Sequence, residues 1–367
     1  MRVGVPKEVK THEYRVGLTP TSVRELVSHG HEVVVEAGAG IGIGAQDAAY
    51  EKAGARIGDA WDAELIVKVK EPQPAERKRL RPGQVLFTFL HLAPDPAQAR
   101  DLIDSGAVCI AYETVTRAGG GLPLLAPMSE VAGRMAIGAG AACLEKERGG
   151  MGILLSGVPG VPPGKITILG AGVVGTSAAR LAVGTGARVY ALDRNVDALR
   201  RLESEFGARV VTVYSSRDAL EQHVLSADLV VGAVLVAGAA TPRLVSRDMV
   251  KAMKPGAAVV DVAIDQGGCF ETSRPTTHAD PTYVAEGVVH YCVANMPGAV
   301  PRTSAYALNN ATLPFVLALA DKGWKHALAA DRHLRNGLNV ALGSVTHREV
   351  AAALGEPHTQ PDKLLED

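Results

Sequence analysis

Between Gly164 and Asp193 the chain runs through an apolar segment, a glycine-rich turn, a helical stretch and a second apolar segment closed by an acid. Residues 166–169, apolar apart from Thr167, have the character of a strand buried on both faces. They break into Gly170-Ala171-Gly172-Val173-Val174-Gly175, continue as a helical stretch over 176–183, and return as the apolar run 188–192 before Asp193. That order predicts two parallel strands joined by a crossover helix, which admits few folds. Each glycine has a mechanical part in such a unit. Gly170 makes the tight turn, Gly172 lets a pyrophosphate reach the backbone, and Gly175 lets the helix lie close on the strand. The helix N-terminus, entered through Val173 and Val174, offers free N–H groups and a partial positive charge to that pyrophosphate. Asp193, about 20 residues on, is placed to accept hydrogen bonds from an adenosine ribose. An acid there favours NAD over NADP, whose 2′-phosphate it would repel, although Arg194 beside it tempers the preference. A glycine turn alone also occurs for packing reasons, but the complete order reads as a Rossmann-type dinucleotide-binding unit.

A chain of 367 residues is long enough for two cores. Aromatics are only 4% of it and apolar residues 47%, so Ala, Val, Leu and Gly must build the interior, as suits tightly packed α/β layers. With a net charge of −1 and both signs interspersed, it has neither a nucleic-acid footprint nor a polybasic anchor. The first residues lead directly into a strand-like run, with no signal-peptide pattern. The apolar stretch 252–264 is broken by Lys254, Pro255 and Asp261, and no other is long enough to span a bilayer. Cys109, Cys143, Cys269 and Cys292 lie far apart without a CxxC pair, which predicts buried free thiols and a reducing, cytoplasmic setting.

Strand-like runs at 2–5, 32–36, 65–69, 85–90 and 107–112 alternate with helical patterns at 20–29, 47–53 and 97–105. Thr19 before Pro20 is a good helix start. This alternation predicts a parallel sheet in the first third, without a glycine fingerprint of its own. A small-residue helix follows over 128–146, then a Gly/Pro-rich stretch leads into the dinucleotide unit. Further strands are expected at 208–213, 229–234, 258–264 and 288–294, and a helix over 304–320. The fold class is therefore α/β in two domains. A Rossmann-type domain (128–300) is expected to be inserted into a discontinuous parallel-sheet substrate domain (1–127, then a helical second segment, 301–367).

Ligands of open α/β sheets collect beyond the carboxyl ends of the strands. Lys70 follows the run 65–69, His91 follows 85–90, Asp265 follows 259–264, Asn295 follows the last strand, and Arg15 lies in the loop after the first. Each has an ordinary explanation by itself. Arg15 could pair with Glu13, Lys70 could be solvated beside Glu71, His91 could be a core histidine, and Asp265 could cap a turn. His29 and His31 lack partners at metal-like spacing and are expected at the surface; no metal site is expected. Together, however, Arg15 and Lys70 could hold a small carboxylate, and His91 could exchange a proton while hydride moves to nicotinamide.

The blocks Met1-Arg-Val-Gly-Val-Pro-Lys-Glu, Glu13-Tyr-Arg-Val, Val67-Lys-Val-Lys-Glu-Pro, Leu86-Phe-Thr-Phe-Leu-His-Leu, Leu125-Ala-Pro-Met-Ser-Glu-Val-Ala-Gly, Asp261-Val-Ala-Ile-Asp-Gln-Gly-Gly-Cys-Phe, Ser273-Arg-Pro-Thr-Thr and Tyr291-Cys-Val-Ala-Asn-Met-Pro-Gly closely resemble NAD-dependent L-alanine dehydrogenases. They occur in matching order from residue 1 to roughly residue 325, and the likeness weakens beyond. The resemblance implies reversible conversion of L-alanine, NAD⁺ and water to pyruvate, ammonia and NADH. It implies that Arg15 binds the substrate carboxylate, Lys70 the carbonyl or amino end, and that His91 and Asp265 are acid/bases. For the cofactor it implies Ser129, Asp193, Ser215, Val234, Leu235, Ile264, Asp265, Arg274, Val293, Ala294, Asn295 and Met296, beside the glycine turn. Members are usually hexamers. Some carry a basic residue where this chain has Ala198. Three other readings share the layout: a D-2-hydroxyacid dehydrogenase, whose catalytic Arg, Glu and His follow the glycine motif; the nucleotide-binding component of a proton-translocating transhydrogenase; and a saccharopine-type dehydrogenase with a larger substrate.

Overall fold

Apolar runs of three to six residues, cut by glycine, proline and polar turns, become short strands, and the segments between them become helices. The computed structural model describes residues 1–234 and 241–365. In chain order the strands are β1 (Arg2–Val5), β2 (Glu32–Val35), β3 (Arg56–Ile57), β4 (Leu65–Val67), β5 (Val85–Thr88) and β6 (Val108–Ala111), then β7 (Lys165–Leu169), β8 (Arg188–Asp193), β9 (Val210–Tyr214), β10 (Leu229–Gly232), β11 (Ala258–Asp261), β12 (Thr282–Ala285) and β13 (Val288–Tyr291), and finally β14 (Leu338–Ala341) and β15 (Ser344–Val345). Two compact units result: Met1–Met128 with the chain from Val300 onward, and Ser129–Ala299.

In the first unit the sheet order is β15-β14-β6-β5-β4-β1-β2-β3. Strands β6 to β3 are parallel, whereas β14 and β15 add to the edge antiparallel. The chain winds outward from β1 through β2 and β3, then restarts on the other side at β4. This makes a topological switch between β1 and β4, where open sheets bind ligands. The helix Pro20–Ser28 begins as the sequence suggests, with Pro20 in its first turn and the Thr19 hydroxyl accepting the Ser22 N–H at 3.4 Å. The long helix Pro301–Ala330 returns across this unit. Its buried Asn309 accepts the Thr19 N–H at 2.8 Å and donates to the Gly17 carbonyl at 3.0 Å, pinning the end of the loop that follows β1.

In the second unit the order is β12-β13-β11-β10-β7-β8-β9, parallel except for β12. Its switch lies between β7 and β10. The helix Ala126–Cys143 packs close because its small residues leave room. A Cβ at Gly133 would lie 2.3 Å from the Val174 carbonyl oxygen, and one at Gly140 would lie 2.5 Å from the Leu229 methyls.

Several expectations need correction. The tail is not simply helical: residues 338–345 form β14 and β15, and Leu338 and Val340 pair with β6. Every residue of β14 is buried, so it lacks the alternation that would mark a strand. The long helix extends ten residues past the expected end, and at Gly323 (φ 74°, ψ 157°) its backbone leaves helical geometry. β11 ends at Asp261, because that side chain accepts the Ala263 N–H and starts a tight 3₁₀ turn, Val262–Gln266. His31 is buried rather than superficial: its Nε2 lies 2.7 Å from Asp321, which also meets His29 at 3.3 Å. All four cysteines are buried free thiols.

Candidate active site

The switch in the first sheet brings three of the sequence-derived residues to adjacent strand ends: Arg15 after β1, Lys70 after β4 and His91 after β5. Arg15 is buried, with its Nε 2.7 Å and Nη2 2.5 Å from the two oxygens of Glu13. Its Nη1 donates to the Met128 sulfur at 3.0 Å. A buried guanidinium needs such a partner. The pairing with Glu13 and a role in binding are therefore compatible, since the carboxylate fixes the plane of the fork.

Below Lys70 lies a charged cluster that reading strand ends alone overlooks. Lys68 is fully buried and bonds to Glu8 at 3.1 Å and Glu76 at 2.8 Å. The other Glu8 oxygen accepts the Val69 N–H at 2.7 Å and the Lys70 N–H at 3.4 Å, while the Lys70 carbonyl accepts the Thr88 hydroxyl at 3.0 Å. Burial raises the Glu8 carboxyl above its ordinary range, against the pull of Lys68. Burial also pulls Lys68 down, but the flanking carboxylates outweigh it and raise it overall. The sequence carried a signal: a lysine inside the apolar run Leu65-Ile-Val-Lys-Val must be buried, and hence paired.

His91 is exposed and held at φ 50°. A left-handed conformation costs a non-glycine residue about 1–3 kcal/mol and persists only where its surroundings enforce it. The Phe89 ring lies parallel to the imidazole, 5.7 Å between centroids.

In the second unit the glycine turn has the expected shape. Gly170 sits at φ 105°, where a Cβ would lie 2.7 Å from the Ala233 carbonyl oxygen. A Cβ at Gly175 would lie 1.8 Å from the Gly170 oxygen, while one at Gly172 would meet only open space. The helix Val173–Gly184 starts three residues before the expected position, which puts Val173 and Val174 in its first turn, and no side chain caps it. Asp193 ties the next strand to this turn, accepting the Ala171 N–H at 2.6 Å and the Asn195 N–H at 2.8 Å. The Ser215 N–H donates to its carbonyl at 3.0 Å.

Val234 follows β10, the strand beside β7; Leu235 lies outside the described residues. Ile264 and Asp265 share the 3₁₀ turn after β11, with Ile264 buried and Asp265 exposed. Buried Asp261 builds that turn, accepting from Ala263 (3.2 Å), Cys269 (2.9 Å) and the Ser273 hydroxyl (2.6 Å). Burial raises its carboxyl, and these donors only partly offset the effect. Asn295 is held at φ 60°; its carbonyl accepts from His278 Nε2 at 3.1 Å and Gly298 N–H at 2.9 Å, between exposed Ala294 and buried Val293 and Met296. Arg274 lies farther along, on the segment between β11 and β12, its guanidinium 4.1 Å from the Tyr283 ring centroid. Ser129 is half-buried on the helix Ala126–Cys143. Ala198 is buried in the core, its N–H bonded to Asn195.

The turn at Gly170–Gly175, a cradle that any side chain would fill, fits a dinucleotide pyrophosphate. Among the described residues no cluster of His, Cys, Asp or Glu is placed to hold a metal ion, and no helix is long and apolar enough to cross a membrane.

An uncapped helix end against a bare glycine turn in one unit, and cations and an imidazole gathered at the sheet switch of the other, are the parts of a nicotinamide-dependent dehydrogenase. Residues 4–132 match the N-terminal domain, and 136–348 the C-terminal domain, of alanine dehydrogenase/PNT proteins. The chain belongs to the alanine dehydrogenase/PNT family. It is 60% identical to an alanine dehydrogenase of Halomonas elongata over the full length of both chains. Its structure matches an L-alanine dehydrogenase with a TM-score of 0.93 and 52% identity, covering 97% of this chain and 99% of that one. A transhydrogenase from Sinorhizobium meliloti matches with a TM-score of 0.81 and 27% identity, over 95% and 99%.

Proposed function

We infer that the chain catalyses the reversible oxidative deamination of L-alanine, in which L-alanine, NAD⁺ and water give pyruvate, ammonium, NADH and a proton. The observation that carries this reading is the full-length 60% identity to an alanine dehydrogenase. Arg15, Lys70 and His91 at neighbouring strand ends, a set suited to a small 2-amino or 2-oxo acid, support it.

Arg15, oriented by Glu13, takes the substrate carboxylate through a bidentate pair. Lys70, on a loop tied by Glu8 and Thr88, faces the amino or carbonyl end. When bound, NAD⁺ supplies the acceptor for the α-hydride. His91 removes a proton from the α-ammonium beforehand and releases it to solvent, and afterwards takes one from the water that attacks the imine carbon of iminopyruvate. The same imidazole returns a proton to the departing amine. Asp265 is the second acid/base. For the cofactor, Gly170, Gly172, Val173, Val174 and Gly175 would hold the pyrophosphate and Asp193 the ribose. Ser129, Ser215, Val234, Leu235, Ile264, Arg274, Val293, Ala294, Asn295 and Met296 complete the set, as the family resemblance implies. The same resemblance supports a homohexamer acting in the cytoplasm.

Two measurements test this reading. L-Alanine should reduce NAD⁺, faster as pH rises and more of the substrate is the free amine, whereas L- and D-lactate should not. NADPH should bind at least tenfold more weakly than NADH, because the Asp193 carboxylate repels a 2′-phosphate. Lactate-driven reduction, or equal affinity for the two cofactors, would count against it.

A further inference from the structure

The left-handed conformation of His91 needs a cause, and the neighbouring strand supplies one. β5 ends at Thr88, so the amides of Leu90 and His91 lose their ladder partners; such N–H groups are expensive to leave unpaired. Glu113, in the 3₁₀ turn Tyr112–Thr114 that follows β6, takes both. Its two oxygens each lie 3.2 Å from the Leu90 nitrogen, and Oε1 lies 2.6 Å from the His91 nitrogen. The same Oε1 is 3.9 Å from His91 Nδ1. One carboxylate thus fixes the backbone turn and sets a negative charge beside the Nδ1 edge of the ring. An imidazole in that field keeps its proton on Nδ1 and leaves Nε2 as the lone-pair edge.

The turn bearing Glu113 is itself braced. Tyr112 packs edge-on against Phe89, whose ring lies parallel to His91, with 5.1 Å between the Tyr112 and Phe89 centroids. The C-terminal segment holds both flanks: the Ala111 N–H donates to the Gly337 carbonyl at 2.7 Å, and buried Asn339 in β14 donates to the Thr114 hydroxyl at 2.7 Å. His347, in the same segment, faces Glu113 electrostatically.

We propose that Glu113 is the positioning residue of the acid/base loop, holding His91 in its left-handed conformation and Nδ1-protonated form, and that the C-terminal strand braces it. The proposal rests on His91 being the acid/base of the deamination reaction. Glu113→Gln removes the charge and one of the two acceptor oxygens, leaving a single amide oxygen to serve the Leu90 and His91 N–H groups. Misplacing a reacting group by about 1 Å costs as much as a hundredfold in rate.

Steady-state kinetics on four proteins provides the test: wild type, Glu113→Gln, His91→Ala and the double variant. Glu113→Gln should lower kcat about ten- to hundredfold in both directions with the KM for pyruvate within threefold of wild type. Added to His91→Ala, it should cost nothing further, because it acts through the imidazole. Wild-type kcat in Glu113→Gln beside an inactive His91→Ala would overturn the positioning role and leave the acid/base assignment intact. Near-wild-type activity in His91→Ala would overturn both. If Glu113→Gln does not fold, Glu113→Asp gives the same reading: it keeps the charge but draws it away from the two amides. A several-fold kcat loss at constant KM is expected there, and full activity would overturn the proposal.

Discussion

Replacing His91 with alanine is expected to slow both deamination of L-alanine and reductive amination of pyruvate by about 10²–10⁴-fold, the range for losing a positioned proton-transfer group. The two directions should fall together, because one imidazole serves the same transition states from either side. Arg15 stays fixed by Glu13 and Lys70 by the Glu8–Lys68–Glu76 cluster, so the KM for pyruvate should change little. The turn itself should survive, since Glu113 bonds the backbone at this position rather than the ring. Measuring kcat and KM in both directions, with a melting curve, separates this from misfolding. A rate within tenfold of wild type in either direction would remove His91 from the mechanism.

The second large effect concerns two glycines of one turn that are constrained for opposite reasons. At Gly175 a Cβ would press to 1.8 Å from the Gly170 oxygen, so Gly175→Ala must separate the helix from its strand. Overpacking of this kind costs about 1–3 kcal/mol or more, and the pyrophosphate cradle is deformed as well. Both the melting temperature and NADH affinity should drop. At Gly172 φ is −75° and a Cβ meets no atom within 4 Å, so alanine fits the fold without strain. Its methyl group instead occupies the space through which a pyrophosphate approaches the backbone. Gly172→Ala should therefore leave the melting temperature almost unchanged while weakening NADH binding by about tenfold or more, or roughly 1.4 kcal/mol per factor of ten. Calorimetric titration with NADH alongside thermal melts distinguishes the two. Unchanged NADH affinity in Gly172→Ala would mean that the dinucleotide does not use this turn.

Much of the site was legible because it stands where apolar runs stop. The two strands from β7 to β8 are mostly apolar, and the turn between them is punctuated by glycines that the geometry demands, so its order is readable directly. The helix begins three residues earlier than its sequence suggests, because Val173 and Val174 look like a continuation of the turn although Gly172 is the residue before the helix. Asp261 was hidden in a similar way. Within Val259-Val-Asp-Val-Ala-Ile it passes for a strand residue, yet its carboxylate ends the strand and shapes the turn bearing Asp265. The tail concealed more. β14 is fully buried and only four residues long, and its partner β6 lies over two hundred residues away in the chain. No local periodicity encodes a pairing at that separation. Glu113 carries no sequence signal for the same reason: nothing adjacent to it reveals that two amides just beyond the end of β5 need an acceptor.

Oxidation of NADH by the purified protein with pyruvate, run with and without ammonium, tests the central claim most directly. Reductive amination requires rapid oxidation with ammonium and almost none without it. Equal oxidation without ammonium would mean that the protein reduces the carbonyl itself, as a hydroxyacid dehydrogenase does, and would contradict the assignment.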